Sequence, residues 1–402
     1  MSKFTNPWEQ RKEALRQQAL AMGFALAGFA PARPPPHAEA LQPWLDRGCH
    51  GGMNWLAREP ERRADPGHWM TEAGIILVLG FNLAPAPARP DDDTPDRGVI
   101  ASYARHGDYH DFLKKKLQEL IAWLETEIGH PVWHRSFVDT GAVLEKPLAT
   151  AAGLGWQGKN ALLINRRYGC RVMLAELFLA LPFSPDAMTP DHCGACVRCQ
   201  RACPTGALST SYQIDASRCL AYFTVESRDP IPRAYRQAMG NRIFGCDACI
   251  DPCPWNRFAP ITPQPVLIGG SDHRSTRSLT EWAALDGVAF QGLFRQTPVK
   301  RIGLTRFLRN VATALGNWHH PDALPPLLRL MRHETPLVRG HAIWSLGNLM
   351  AHAEPIAEKS GSPSPMVRMV REELQAASLR EQDPMVQEEI EWALHPPLSL
   401  LG

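Results

Sequence analysis

Eight of the ten cysteines lie between residues 190 and 256, in two runs whose spacing suits metal chemistry. Cys193, Cys196, Cys199 and Cys203, followed by Pro204, form the C-x2-C-x2-C-x3-C-P run of bacterial ferredoxins. Zinc is the main alternative, but zinc sites use separated C-x2-C pairs and gain nothing from a third cysteine three residues later. The run therefore predicts thiolate ligands for 4Fe–4S clusters.

A second, shorter run repeats the last part of this pattern: Cys246, Cys249 and Cys253, followed by Pro254. It is one ligand short, and Cys219 is the only other cysteine of the segment. Because the fourth cysteine of such a run ligates the other cluster in two-cluster ferredoxins, we predict two clusters with crossed ligands. One set is Cys193, Cys196, Cys199 and Cys253, and the other is Cys203, Cys219, Cys246 and Cys249. Clusters carry electrons and seldom transform a substrate, so a reactive centre is expected earlier in the chain.

The elements that must position such a centre follow a mixed α/β pattern over residues 1–185. The hydrophobic periodicity predicts helices over 8–22, 110–127 and 142–152. Strands are predicted over 74–81, 132–138, 161–164 and 172–179, which together would complete one sheet. The Pro- and Asp-rich residues 84–97 are predicted to form a surface loop.

The C-terminal part carries a faint internal repeat. Thr335-Pro-Leu-Val-Arg339 is echoed by Ser364-Pro-Met-Val-Arg368 and Asp383-Pro-Met-Val-Gln387. Proline at a helix start followed by spaced apolar residues is typical of HEAT-like helical pairs, although two packed helical hairpins would give the same pattern. The predicted fold class is α+β: a mixed α/β domain over 1–185, a ferredoxin-type two-cluster domain over 186–260 and a helical HEAT-like domain over 261–402.

Composition and charge exclude several classes of protein. Hydrophobic residues make up 44% and charged residues 21%, which argues against disorder and coiled coil. The longest apolar runs fall short of the ~20 residues of a membrane span, and the first residues do not resemble a secretory signal. We therefore expect a cytoplasmic protein without a membrane partner, where clustered cysteines bind metal more often than they form disulfides.

The net charge of +2 predicts no nucleic-acid partner by itself, but the charge is unevenly distributed. Residues 287–321 contain Arg295, Lys300, Arg301, Arg306 and Arg309 and no acidic residue. Such a stretch could contact phosphates, and a solvated basic helix face is an equally good interpretation.

The first domain contains one glycine motif and one histidine motif, and each matches a known signature only in part. Gly153-Leu-Gly-Trp-Gln-Gly158 satisfies G-x-G-x-x-G and nearly a P-loop, but a helix is predicted before it and Asn160 replaces the magnesium-binding Ser or Thr. Asp108-Tyr-His110 resembles the start of the cobalt-ligand signature D-x-H-x-x-G, but Leu113 occupies the glycine position. Neither motif predicts a site of its usual kind.

Asp139 stands at a predicted strand-to-helix junction. A helix N-cap that accepts backbone amides is the structural interpretation of such a carboxylate. The functional interpretation is an acid in a cleft whose pKa is raised by desolvation, which makes it a proton donor.

These residues in this order closely resemble the epoxyqueuosine reductases. The resemblance rests on Arg63-Ala-Asp-Pro66, Tyr103 with Asp108–His110, Val138-Asp-Thr140, Ala152–Asn160, the two cysteine runs with Cys219–Glu226, and Leu308-Arg-Asn310 with Leu315-Gly-Asn317. It implies reduction of the epoxide of epoxyqueuosine to queuosine at the wobble position (34) of tRNA, the last step of that pathway. It also implies an N-terminal cobalamin with no histidine on the cobalt, fed by two 4Fe–4S clusters, and Asp139 as proton donor.

The resemblance further implies contacts and partners. The implied cobalamin contacts are Arg63, Tyr103, Asp139, Lys159, Asn160, Leu163, Cys246, Asp247, Ala248 and Cys249, and the implied tRNA contacts are Lys300, Arg301, Arg306 and Arg309. An external low-potential electron donor and a monomeric state are expected. A reductive dehalogenase-like corrinoid enzyme and an electron-transfer ferredoxin fused to a helical binding module are the alternatives.

Overall fold

The structure, a computed structural model, describes residues 6–70, 74–84, 94–105, 107–262, 277–360 and 365–395. The chain divides into two compact units, one of residues 1–87, 108–219 and 247–268 and the other of residues 88–107, 220–246 and 269–402. Both units draw on residues of the predicted ferredoxin range, so this division does not follow the three sequence ranges. The three-domain organisation stays a prediction.

The first unit is built around a four-stranded antiparallel sheet in the order β1–β2–β7–β4. Its strands are β1 (Leu26–Pro31), β2 (Ile75–Asn82), β4 (His134–Phe137) and β7 (Val172–Leu179). Every residue of β2 is buried, in keeping with its apolar sequence up to Phe81. On β7, Glu176 lies opposite Val78 of β2 and Phe137 of β4. An acidic side chain therefore occupies the middle of the sheet.

The sequence predicted most of these strands. Two differences concern short segments. β1 was not predicted, and Gly28 within it lies so close to the carbonyl of Ala152 that a Cβ would be 2.2 Å from that oxygen. β6 (Leu163–Ile164) pairs with β5 (Trp156–Gln157) in a separate ribbon, so the prediction that 161–164 completes the main sheet is wrong.

The helices of the first unit are α1 (Pro7–Ala21), α2 (Leu41–Asp46), α3 (Pro60–Ala64), α4 (Tyr109–Ile128), α5 (Glu145–Ala151) and α6 (Arg198–Ala202). Three of them, α1, α4 and α5, pack against strands of the sheet. α4 begins at Asp108, whose side chain accepts from the amide of His110, and ends at Gly129 in the left-handed region. This cap places His110 in the first turn of α4. Since α5 directly precedes the glycine motif at 153–158, the dinucleotide interpretation fails as predicted.

The second unit is mainly helical. β3 (Val99–Ile100) pairs parallel with β8 (Arg242–Phe244). The helices are α7 (Arg233–Met239), α8 (Leu279–Ala283), α9 (Gly287–Phe294), α10 (Gly303–Trp318), α11 (Leu324–Leu330), α12 (Pro336–Ser360), α13 (Pro365–Ser378) and α14 (Pro384–Leu394). Helices α12, α13 and α14 each begin at the proline of the sequence repeat. In the part of the chain that the structure describes, no helix has the length and apolar composition needed to cross a membrane.

Candidate active site

Asp139 lies in the loop between β4 and α5, with a backbone φ of 58°. This left-handed conformation is strained for most L-residues and is tolerated by Asp better than by bulky residues. The loop is held from several sides: Arg63 Nη1 donates to the carbonyl of Gly141 (3.2 Å) and Trp69 Nε1 to that of Ala142 (3.1 Å). The amide of Asp139 itself donates to Glu145 Oε1 (2.8 Å). Residues of α3, α5 and the segment after α3 therefore fix where the Asp139 carboxylate points.

The Asp139 carboxylate meets the first turn of α4. Its Oδ2 is 3.2 Å from His110 Nε2 and accepts from the hydroxyl of Tyr109 at 3.2 Å. The other ring nitrogen of His110, Nδ1, is 2.7 Å from Asp108 Oδ1. An imidazole between two carboxylates satisfies both only when both nitrogens carry protons. The geometry therefore favours an imidazolium bridging two carboxylates.

The charge states follow from these contacts. Burial lowers the pKa of His110, but the hydrogen bonds to Asp108 and Asp139 outweigh it and raise this pKa to about 9. The hydrogen bond from His110 is the main cause that lowers the pKa of Asp139 to about 2, against a smaller desolvation effect. At neutral pH the proton is therefore held on His110 and Asp139 is an anion.

Both sequence interpretations of Asp139 need correction. The N-cap of α5 is Leu144, which makes no side-chain capping bond, so Asp139 is not a helix cap. Its pKa is lowered rather than raised, because the hydrogen bond from the His110 cation outweighs the desolvation that would raise it.

The cysteine loops of the first unit are tied to the turn at 158–160. None of the ten cysteines, all of which lie in the described part of the chain, is joined in a disulfide. Lys159 Nζ donates to the carbonyl of Gly194 (2.7 Å), and Asn160 Nδ2 to that of Cys249 (3.4 Å). Trp156 Nε1 lies 3.4 Å from Cys193 Sγ. Within the described chain, no three Cys, His, Asp or Glu side chains converge closely enough to hold a single metal ion.

The cobalamin implied by the resemblance needs polar donors near the Asp139 loop. Both ring nitrogens of His110 are engaged by carboxylates. Arg63 Nε is buried and has no acceptor among the described residues, and since buried donors are normally satisfied, it is available to a bound group. The donor set thus fits a polar cofactor near the Asp139 loop.

The other predicted cofactor contacts are spread over the molecule. In the first unit, Asp247 pairs with Arg171 (3.7 Å), and Ala248 and Cys249 lie in the turn that follows it. Leu163 is buried in the apolar cluster beneath α5 with 3% exposed, so its side chain has almost no surface to give a ligand.

In the second unit, the Tyr103 ring lies 6.2 Å from that of Phe244, and Gly245 packs against Ala101. Cys246 packs on an apolar cluster with Leu220.

The basic stretch at 287–321 is only partly available for phosphates. Arg309 is fully buried, and its guanidinium donates to the carbonyls of Phe223, Ser227 and Asp229. This burial contradicts its predicted role as a tRNA contact. Arg306 is half-buried and donates to four backbone carbonyls, those of Val225, Glu226, Arg301 and Ile302.

The remaining cations of this stretch are on the surface. Lys300 is exposed, and Arg301 is exposed while it pairs with Glu226 at 2.8 Å. Arg295 is also exposed. The stretch is thus partly a solvated surface and partly the interior of the unit.

Sequence reasoning left two residues of the site without a role. His110 was noted only as a failed cobalt ligand, although a histidine two residues after an aspartate at a helix start can hold a proton between carboxylates. Glu145 lies within the helix predicted over 142–152, and only the fold shows that it bonds the Asp139 amide.

The fold and the site together define an iron–sulfur oxidoreductase. The features that do so are a sheet unit with a carboxylate–imidazolium pair, ferredoxin-type cysteine runs and a helical tail. The family model for a 4Fe–4S double cluster binding domain matches residues 192–256, and the one for HEAT repeats matches residues 305–395. The model described as epoxyqueuosine reductase QueG, DUF1730, matches residues 63–140.

Whole-chain relatives agree. The chain is 37% identical to the epoxyqueuosine reductase of Pseudomonas aeruginosa, over 83% of this chain and 93% of that protein. It is 34% identical to that of Escherichia coli, over 84% of this chain and 89% of that protein. The chain therefore belongs to the epoxyqueuosine reductase family. This confirms the predicted family, the α+β fold class and the oxidoreductase class, and it sets aside the dehalogenase and ferredoxin-fusion alternatives.

Two solved structures share the whole fold. An epoxyqueuosine reductase crystallised with an epoxyqueuosine-modified tRNA-Tyr stem loop aligns with a TM-score of 0.85 at 28% identity, covering 98% of this chain and 99% of that one. The Bacillus subtilis enzyme, in a form whose catalytic aspartate loop is swung out of the active site, aligns with a TM-score of 0.83 at 28% identity. It covers 98% of this chain and 100% of that one.

Proposed function

We propose that this protein reduces epoxyqueuosine to queuosine at the wobble position of tRNA, the last step of queuosine biosynthesis. The observation that carries the proposal is the similarity over 98% of the chain to a reductase bound to an epoxyqueuosine-modified tRNA stem loop. Converting an epoxide to an alkene consumes two electrons and two protons and releases the oxygen as water. The protein must therefore supply both reducing equivalents and a proton donor.

We assign the proton supply to His110 and Asp139. The His110 side chain is only 16% exposed and holds a proton that the outer Asp139, 43% exposed, can relay. The alkoxide formed when the epoxide opens is far more basic than His110 or Asp139. It therefore takes a proton from Asp139 Oδ2, and His110 supplies that proton to Asp139. Exposure of Asp139 allows the pair to be reloaded from solvent. A relative of the same fold has a catalytic aspartate on a loop, which supports a loop aspartate such as Asp139 in this role.

The reducing equivalents would come from bound cofactors. The match to a double-cluster domain supports two 4Fe–4S clusters on the crossed cysteine sets. When bound, cobalamin would supply reducing electrons at the epoxide carbon, and the clusters would deliver these electrons singly from an external low-potential donor. Arg63, with its unpaired Nε, and the Lys159–Asn160 turn would hold cobalamin beside the Asp139 loop.

The substrate side of the proposal uses the exposed part of the basic stretch. Lys300, Arg301 and Arg295 would contact phosphates of the anticodon stem. The modified base must be splayed out of its loop to reach a reactive centre, as single-stranded loops permit. We place the reaction in the cytoplasm, because tRNA is found in that compartment. We further propose that the protein is a monomer.

The test is an anaerobic assay on tRNA that carries epoxyqueuosine, with cobalamin and a low-potential reductant, followed by nucleoside mass spectrometry. Wild-type protein should convert the nucleoside to one lacking a single oxygen. Asp139→Asn should lower kcat ~100- to 10,000-fold, the usual contribution of a general acid, with tRNA affinity unchanged.

Each part of the proposal can fail separately. A cluster- and cobalamin-loaded wild-type protein that leaves the nucleoside unchanged would exclude the reaction. Full activity of Asp139→Asn would exclude the assigned acid while the reaction stands. Sedimentation of the loaded protein checks the monomeric state.

A further inference from the structure

The backbone of Asp139 is held by one side-chain contact made directly to it. Its left-handed φ of 58° is not a conformation that the loop would adopt by default. The contacts of Arg63 and Trp69 reach the carbonyls of Gly141 and Ala142, further along the loop. At Asp139 itself, the amide donates to Glu145 Oε1 at 2.8 Å. Loss of this acceptor would free the residue on which the proposed proton transfer depends.

Glu145 is built into the fold as a buried acceptor. Its side chain is 9% exposed, and its second oxygen, Oε2, accepts from Lys146 Nζ at 3.3 Å. A carboxylate buried in this way costs folding free energy unless its hydrogen bonds are made. The two bonds to the Asp139 amide and to Lys146 therefore account for both oxygens of Glu145.

A second buried acid, Glu176, lies near Glu145. Glu176 on β7 is fully buried on the face where Leu174 and Phe178 pack against α5. Neither of its oxygens has a hydrogen-bond partner among the described residues. Burial, with the charge of Glu145 as a smaller cause, raises its pKa well above the usual range, so Glu176 is neutral at physiological pH. Burial also raises the pKa of Glu145, against the opposing charge of Lys146, whose ammonium group bonds its Oε2.

We propose that Glu145 is a positioning residue whose carboxylate fixes the amide of Asp139 and so selects the loop conformation in which Asp139 meets His110. The inference rests on the proposed function, since it concerns the proposed proton donor. Glu145 does not touch the reacting atoms and acts through Asp139 alone. The charged and titratable groups around it are Asp139, Lys146, Glu176 and Arg63.

The first test follows hydrogen exchange of residues 138–144 in the substrate-free protein and needs no turnover. Glu145→Met keeps the volume and removes the acceptor, and we expect the Asp139 amide to exchange at least about tenfold faster. Glu145→Gln keeps an oxygen that can accept this amide and should stay close to wild type. Thr150→Ala is the matched control, since the Thr150 hydroxyl lies on the same helix and bonds only the carbonyl of Lys146 in the described structure.

Exchange that is the same in Glu145→Met and wild type would overturn the proposal. So would a Glu145→Gln protein that exchanges as fast as Glu145→Met. If Glu145→Met unfolds at a lower temperature than the Thr150→Ala control, Glu145→Ala replaces it as the variant without an acceptor.

The second test separates positioning from folding through kinetics. Glu145→Met should lower kcat ~10- to 100-fold, as expected for a reacting group displaced by about 1 Å, with KM for tRNA unchanged. In an Asp139→Asn background the same substitution should cause no further loss, because its effect passes through Asp139. An equal loss in both backgrounds would assign Glu145 another role. A wild-type protein without turnover would refute the proposed function and leave the hydrogen-exchange test standing.

Discussion

The two units differ in how their buried ionisable side chains are hydrogen-bonded. In the second unit, the guanidinium of Arg309 donates to Asn310 and to three backbone carbonyls, so the charge is enclosed in a fully bonded shell. In the first unit, Glu176 is equally buried and bonds to nothing among the described residues. Its neighbours are bonded: Glu145 accepts from the backbone amide of Asp139 and from Lys146, and the Asp139 carboxylate meets His110. A buried charge with all its hydrogen bonds made stabilises a fold, whereas a buried neutral acid without hydrogen bonds beside an exposed acid marks a place where stability is given up for chemistry.

The largest expected effect is a loss of stability at Arg309, whose buried guanidinium has its hydrogen bonds made. Arg309→Leu would remove the donor to the carbonyls of Phe223, Ser227 and Asp229, and those of the buried residues Phe223 and Ser227 would be left unsatisfied away from water. At ~1–3 kcal/mol for each of these two groups, the loss of unfolding free energy should be at least about 2 kcal/mol. Chemical denaturation followed by helix circular dichroism measures it. Arg295→Leu, at an exposed position in the same basic stretch, is the control and should leave stability nearly unchanged. Equal melting of both variants would contradict the structural role of Arg309.

The next effect concerns the proton on His110. His110→Gln keeps a polar side chain but cannot hold a proton, and kcat should fall ~100-fold or more. The pH profile gives the sharper result. Because the pKa of His110 is raised to about 9, its proton is fully present below 6.5 and is lost as pH rises through about 9. Wild-type activity should therefore decline above about pH 9, and this limb should be absent from the residual activity of His110→Gln.

Tyr109→Phe is the matched control for this prediction. It removes the second donor to Asp139 Oδ2 and leaves the imidazole in place. The alkaline limb should persist in Tyr109→Phe. A limb near pH 9 that survives in His110→Gln would show that another group carries it.

The sequence predicts what local pattern controls and misses what distant residues bring together. The cysteine runs, the helix α4 and the strand β7 follow from spacing and periodicity within a few residues. β1 is short, contains Gly28 and ends in Pro31, so its propensity is weak, and its place is set by pairing with β2. The charge of Asp139 depends on His110, 29 residues away, which no local pattern connects to it. Arg309 was predicted on the surface because the carbonyls that enclose it lie 80 or more residues earlier.

A smaller effect, of opposite sign to that of Arg309→Leu, is expected at Glu176. Glu176→Leu replaces an unpartnered buried acid by an apolar side chain of similar size. Since a buried carboxyl without a hydrogen bond costs about 1–3 kcal/mol, the variant should be more stable by about this amount, with a higher Tm. Glu176→Gln, which keeps the polar group buried, should show little gain. A lower Tm for Glu176→Leu would mean that the acid has a partner that stabilises it, and the contrast with Arg309 would fail.

The smallest effect is expected at the exposed cations. Lys300→Ala removes a charge from the proposed phosphate-binding surface without disturbing the core, because Lys300 is exposed. Binding of the tRNA should weaken a few-fold, and the slope of log Kd against log salt should decrease by about one contact. Filter binding at several salt concentrations measures both. Lys115→Ala, also exposed but on α4 of the first unit, is the control and should leave the slope unchanged. An unchanged slope for Lys300→Ala would assign this part of the stretch to a solvated helical surface, as Arg309 is already assigned to the interior.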